Sequence, residues 1–270
     1  MRFSFQHWPE YLIEAACLGL FMVSAAGFAV LLQHPASPLA VGGLDPPIQR
    51  VPMGLAMGAT AAALIYSPFG ARSGAHMNPA VTLTFLRLGK ITAPDAVAYI
   101  AAQFAGGALG MVAALWGLGG LLSHPAVDYV ATVPGPAGTA AAFAAEAGIA
   151  FGLMLMVLYV SNTPRLAHWT GAGAGLLVAA YIVVEAPLSG MSMNPARTLG
   201  SNLLAGATGP LWIYFTAPLL GMLAAAEWFA RAHGRARVRC AKLHHPARGP
   251  CIFNCGAPVA DARPEMRVPA

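Results

Sequence analysis

Charge is scarce in this sequence: Asp, Glu, Lys and Arg together make up 9% of its 270 residues, against roughly a quarter in a soluble domain. A chain so poor in ionic groups is hard to keep in water, which argues against a soluble globular protein. Cysteine is scarce too. Cys17 is the one thiol in the body of the chain, while Cys240, Cys251 and Cys255 sit close to the C-terminal end, so no disulfide scaffold spans the sequence. No phosphate loop, nucleophile triad or catalytic carboxylate pair is found, and the chain is read as a non-enzyme. In place of charge the sequence is apolar, with 57% hydrophobic residues and a mean hydropathy of +0.63.

The apolar residues fall into six stretches, at about 10–32, 51–66, 94–122, 140–160, 169–186 and 210–230. Each is near the ~20 residues a helix needs to cross ~30 Å of hydrocarbon. The first could be taken for a secretory leader because Arg2 precedes it, but Glu10 and Glu14 lie inside it and it is read as a span. Lys and Arg favour the cytoplasmic side. With both termini inside, Arg72, Arg87, Lys90 and Arg165 lie at cytoplasmic loops, and the segment 123–138 has no Lys or Arg. Arg231, Arg235, Arg237, Arg239, Lys242, Arg248, Arg263 and Arg267 then form a basic cytoplasmic flank. They explain much of the +5 net charge as attraction to anionic lipid, with no call for nucleic acid.

An internal repeat carries the functional signal. Residues 73–83 read SGAHMNPAVTL and residues 189–199 read SGMSMNPARTL, identical at eight of eleven positions and each set between the second and third span of its half. Three spans per half put the two halves in the membrane with opposite polarity, an inverted repeat. Each repeated segment is apolar enough to enter the bilayer and too short to cross it, so it reads as a half-helix entered by an extended loop. Pro79 and Pro195 suit the first turn of such a helix, and Asn78 and Asn194 suit its cap. Two half-helices entering from opposite faces bring both positive N-terminal ends to the midplane, where they oppose a cation. The Asn amides can donate to the oxygen of a permeating water, and loop carbonyls can accept from it.

These paired segments make the chain resemble the aquaporins, or major intrinsic proteins, over roughly 10–232. The resemblance implies an all-α membrane fold of six transmembrane helices and two re-entrant half-helices. The channel domain would cover 1–232, with repeat halves at about 10–122 and 140–232, followed by a basic tail at 233–270. It implies pore signatures at Asn78, Pro79, Ala80, Asn194, Pro195 and Ala196, and pore-facing carbonyls from Gly74, Ala75, His76, Met77, Gly190, Ser192 and Met193. Glu14 and Glu146 would brace the two loops from behind. Gln103 with Gly106 and Gly107, and Pro218 with Gly221, match the family's third and sixth spans. The filter by alignment is Met57 (or Gly58, with the gap moved), Ile182, Met191 and Arg197. Family water channels carry an aromatic residue and a His at the first two of these positions, and this chain has neither. Glycerol facilitators usually carry Asp after the filter Arg, and this chain has Thr198. Glu185, one turn beyond Ile182, is expected at the outer vestibule as a partner of Arg197.

The function expected is passive passage of water, and of small uncharged solutes, across a plasma or inner membrane by a homotetramer with one pore per subunit. The alternatives are a facilitator with little preference for water and, less favoured, an ion-coupled secondary transporter using Glu14 and Glu146. No cofactor is called for. The run CAKLHHPARGPCIFNC at 240–255 nevertheless supplies ligands for a tetrahedral zinc: Cys240, Cys251 and Cys255 with His244 or its neighbour His245. The rival reading of that run, a disordered and solvated basic tail, is the preferred one.

Overall fold

The computed structural model describes residues 7–43, 45–245 and 251–256, so Arg2, Arg248, Arg263 and Arg267 lie outside the described residues. Among the described residues the chain is all helical, without a β-strand. The first half runs α1 (Trp8–Gln33), α2 (Pro46–Tyr66), the short α3 (Pro68–Ser73), the half-helix α4 (Pro79–Arg87) and α5 (Ala93–Leu118). The second half repeats this order as α6 (Gly138–Ser161), α7 (Thr170–Val184), α8 (Ala186–Ser189), α9 (Pro195–Ala205) and α10 (Leu211–His233).

Six of these helices are long and apolar enough to cross a membrane. Half or less of each span is buried within the protein, and the outward faces carry residues such as Trp116, 91% exposed, and Leu176, 71% exposed. In water such faces would be a large liability; against lipid tails they cost nothing. α2 starts five residues before the apolar run at Val51, because Pro46 and Pro47 need no N–H partners in a first helical turn.

Packing follows the repeat. α1 lies along α5 and α6 along α10, while α2 and α7 pack on each other across the centre. The half-helix of each half packs on the last span of the other: α9 on α5 and α4 on α10. Small residues make the central crossing close. A Cβ on Gly58 would run into the Gly175 carbonyl, and one on Gly175 into that of Gly58. Gly106 likewise faces the backbone of Ala15, and Gly221 that of Ala147.

An even number of spans returns the chain to the face where it began. Ion pairs gather on this face: Arg72 Nε to Glu10 Oε1 at 2.9 Å and Arg87 Nη2 to Glu227 Oε1 at 2.7 Å. The segment after α10 folds back over the same face, here called the tail face. The amide of Arg239 donates to Asn162 Oδ1 at 2.7 Å, and Asn254 Nδ2 donates to the Gly89 carbonyl at 2.8 Å. Cys240, Ala241, Lys242, Leu243 and Phe253 are buried. The described part of this segment is therefore packed, not the solvated tail of the rival reading, because it carries apolar side chains that the channel end can cover.

Candidate pore and its filter

The two half-helices begin as the sequence predicts. Pro79 and Pro195 open α4 and α9, and Asn78 Oδ1 accepts from the Ala80 amide at 2.8 Å while Asn194 Oδ1 accepts from Ala196 at 3.0 Å. Each Asn amide nitrogen then crosses to the opposite loop. Asn78 Nδ2 donates to the Met193 carbonyl and Asn194 Nδ2 to the Met77 carbonyl, both at 2.7 Å. This reciprocal pair fixes the two helix N-termini against each other at mid-depth. One hydrogen of each NH2 and one lone pair of each carbonyl remain for a solute.

The entering loops hold unusual backbone. Gly74, Ala75 and Met77 in one, and Gly190, Met191 and Met193 in the other, all have positive φ. Four of these six are not glycine, so the conformation is strained and must be held from outside. Two buried carboxylates do this. Glu14 accepts from Ser73 Oγ at 2.7 Å, from the amides of His76 and Met77 at 3.0 and 2.6 Å, and from Gln103 Nε2 at 2.9 Å. Glu146 accepts from Ser189 Oγ and the amides of Ser192 and Met193, each at 2.7 Å. A carboxylate with three or four donors can be tolerated at this depth, where a bare one would not be. Tyr99 and Tyr214, which the sequence reading did not single out, add hydroxyl bonds to the carbonyls of Ser73 and Ser189 at 2.7 and 2.5 Å. Their signal was a Tyr at almost the same distance after each repeat.

Two cavities meet in this frame. The outer one, about 240 Å3, opens on the face away from the tail and is lined by Met57, Ile182, Met191 and Arg197, with Met53 and Arg50 added. The inner one, about 110 Å3, runs past Asn78 and Asn194, with Ala75, His76, Met77, Ser192 and Met193 on its polar side and Phe21, Leu153, Val157 and Val178 opposite. Phe21, Val178, Ser192, Met193 and Arg197 line both. Arg197 Nη1 is buried there without a hydrogen-bond partner, a donor left for whatever passes. Arg50, whose Nε donates to the Val183 carbonyl at 2.9 Å, is a second outer charge. It could have been noticed as an Arg at the start of a span.

Other assignments are corrected. Gly58, the alternative filter position, faces Gly175 in the α2–α7 crossing and not the cavity. Glu185 is buried, is not among the residues lining the outer cavity, and makes no ion pair with Arg197 among the described residues. It caps α7, where the chain turns into α8, and both of its carboxylate oxygens are buried without a hydrogen-bond partner among the described residues. The Gly74 carbonyl accepts from the Leu243 amide at 3.1 Å, and Gly74 is not among the residues lining either cavity. His76 offers more than its backbone. Its ring bonds Thr82 Oγ1 at 3.1 Å and the Ala241 carbonyl at 2.9 Å. Because that carbonyl can only accept, Nε2 carries the hydrogen.

The tail brings Cys240, His245, Cys251 and Cys255 together, their ligand atoms all within 4.8 Å of one another. His244, the fourth ligand first chosen from the sequence, is turned away and packs edge-on against Tyr66 at 5.1 Å. The chain bends at residues 243 and 244, and His245 is the imidazole brought to the cysteines. The hydrogen bond between Cys240 and Cys251 holds the Cys251 thiol down to about 4 and pushes that of Cys240 up.

Comparison with known proteins supplies the lineage. Residues 2–229 match the model of the family described as Major intrinsic protein. The chain belongs to the major intrinsic protein family. Aquaporin NIP3-1 of Zea mays is 39% identical over 169 residues, 62% of this chain and 54% of the plant protein. The chain thus spans about half the length of that relative. Glycerol uptake facilitator protein-like 6 of Lactiplantibacillus plantarum is 36% identical over 225 residues, covering 80% of this chain and 94% of that one. The solved aquaglyceroporin from Plasmodium falciparum superimposes with a TM-score of 0.71 over 87% of this chain and 99% of that chain, at 21% identity, a likeness of fold. Aquaporins and aquaglyceroporins of the major intrinsic protein family are membrane channels and not enzymes, and they need no cofactor.

Proposed function

We propose that the chain is a passive channel for water and small uncharged solutes. One observation carries this reading: the two cavities meet at Arg197, beside the cross-bonded Asn78 and Asn194 at the facing ends of two half-helices. A neutral oxygen there can take donors from Arg197 and the Asn amides and give to loop carbonyls, which replaces its hydration. A cation meets a guanidinium and two positive helix ends. Ion-coupled transport is disfavoured because Glu14 and Glu146 are occupied as braces, and among the described residues no carboxylate lines either cavity.

A second reading, a solute facilitator with little preference for water, draws support from the rim of Met53, Met57, Ile182 and Met191. Methionine is flexible and apolar and can yield to the carbon side of a polyol. The name of the Lactiplantibacillus relative points the same way. Arg197, the Asn pair and Met57, Ile182 and Met191 are the selecting residues in either case, within a homotetramer in a plasma or inner membrane with the tail face toward the cytoplasm.

Stopped-flow light scattering on reconstituted vesicles, challenged in turn with sucrose, glycerol and urea, tests the proposal. Water efflux well above empty vesicles supports the water channel. Efflux equal to empty vesicles with fast glycerol or urea equilibration selects the facilitator, and neither response, in the wild type and in a Leu243→Ala variant that opens the inner end of the cavity, overturns both.

A further inference from the structure

The segment that crosses the tail face closes the inner cavity. Leu243 lines that cavity from below and also lines a basin of about 290 Å3 on its other side, together with Ser161, His168 and Arg239. It therefore stands between the pore and the tail-side solution. Both arms of the segment are attached to the channel. In the first arm, the Leu243 amide and the Ala241 carbonyl bond Gly74 and the His76 ring at 3.1 and 2.9 Å. In the second arm, Phe253 stacks on His76 at 5.4 Å between ring centres, and the Asn254 amide donates to the Lys90 carbonyl at 3.0 Å.

The four sulfur and nitrogen ligands tie these arms together. Cys240 and His245 flank the plug in the first arm, and Cys251 and Cys255 flank Phe253 in the second. Cys240 Sγ and Cys251 Sγ are 3.6 Å apart, and Cys255 Sγ and His245 Nε2 are 3.2 Å apart. A tetrahedral zinc with ~2.3 Å sulfur bonds sets its sulfurs about 3.8 Å apart, so the Cys240–Cys251 and Cys255–His245 edges lie within a few tenths of an ångström of what it needs, and no edge exceeds that geometry by much more than about 1 Å. A disulfide would need ~2.05 Å between sulfurs and would leave the other two ligands idle.

We propose that Cys240, His245, Cys251 and Cys255 bind one Zn2+ and that the metal locks the tail segment across the inner mouth, so that the metal-loaded channel is shut. The metal takes the three cysteines as thiolates, any thiol proton passing to solvent, and His245 as a neutral imidazole, giving a closed Cys3His site of net charge −1. Loss of the metal frees the two arms from each other and lets Leu243 leave. The gating half of this proposal rests on the channel reading of the pore; the metal half does not.

The test uses the purified full-length protein. Metal analysis after exposure to Zn2+ and desalting is expected to give one zinc per chain in the wild type and in His244→Ala, and none in Cys251→Ser or His245→Ala. Co2+ in place of zinc is expected to give the absorption of tetrahedral thiolate coordination. The same preparations in vesicles, loaded with zinc or stripped with a permeant chelator, are then compared by stopped flow, with Leu243→Ala as a form whose plug is cut away. Stripping is expected to raise water or glycerol flow several-fold in the wild type and to change nothing in Leu243→Ala. Less than one zinc per chain, or zinc retained by Cys251→Ser, overturns the site. One zinc per chain with equal flow before and after stripping overturns the gate. No flow in any form, Leu243→Ala included, overturns the channel reading and the gate with it, while the zinc content still decides the site.

Discussion

The two loops that meet at mid-membrane are built alike and end differently. Each is held by a buried glutamate, by a serine hydroxyl that turns back to the loop, by a tyrosine on the serine carbonyl and by an asparagine that crosses to its twin. They part at three positions. Where the first loop has Ala75, His76 and Val81, the second has Met191, Ser192 and Arg197, and Met191 lines the outer cavity. Ser192 Oγ bonds Thr198 and stays within its own loop, and Arg197 opens onto the outer cavity. His76 instead reaches out of its loop to the tail segment. The identical residues make a frame that holds strained backbone; the departures from identity decide what each mouth does.

Removing a brace is the largest perturbation this comparison allows. Glu14→Leu strands four donors and Glu146→Leu strands three. At about 1–3 kcal/mol for each buried donor left unpaired, both are expected to cost several kcal/mol and to lower the midpoint of thermal unfolding in detergent. Glu14→Leu is expected to cost more, because Gln103 Nε2 loses one of its two acceptors as well and keeps only Thr82 Oγ1. Equal melting points for both variants and the wild type would mean that the loops hold themselves, and the frame argument would fail.

Next in size is Arg197→Val, which gives the second loop the residue of the first. If the guanidinium adds as little as ~1.4 kcal/mol to the barrier for a cation, its loss raises the proton or cation leak about tenfold. Dye quenching in vesicles under a pH gradient reads this, and water flow is expected to persist. A leak no greater than wild type would move exclusion wholly onto the half-helix ends.

A smaller effect is expected at the rim. Ile182→His narrows the opening opposite Arg197 and adds a hydrogen-bonding ring, so the ratio of glycerol to water permeability is expected to fall a few-fold. An unchanged ratio would place selection deeper, at Asn78 and Asn194.

Most of this frame could be read from the sequence, since its parts are local or repeated. An Asn-Pro pair predicts its own cap and first turn, and two copies in register predict the inversion. The filter set of Met57, Ile182, Met191 and Arg197 followed from alignment on the same repeats, and the four line one cavity. What escaped depends on contacts between distant residues. The crossed asparagine bonds join residues 115 and 117 apart in sequence, and the His76 bond to Ala241 spans 165. Glu185 escaped for a different reason: helical spacing puts it on the face of Ile182 only while the helix continues, and α7 ends at Val184. The choice between His244 and His245 turns on a bend at residues 243 and 244, which spacing does not encode.

The smallest perturbation is also the most selective one. His76→Ser places in the first loop the residue that the second carries, and it leaves the Glu14 brace intact because that brace holds the His76 amide and not its ring. What goes is the bond to the Ala241 carbonyl and the stack on Phe253, along with the stack on Phe85 of α4, while a serine hydroxyl can keep the bond to Thr82 as Ser192 does to Thr198. A neutral hydrogen bond contributes about 1 kcal/mol and an aromatic pair about 0.5–1.5 kcal/mol, so the tail segment should open roughly tenfold or more often. Hydrogen exchange at residues 240–245 is expected to speed up by that factor, while exchange in α4 and α9 stays at the wild-type rate. Faster exchange throughout α4 would mean that the ring supports the half-helix itself, and the division between a shared frame and a tail-specific contact would not hold at this residue.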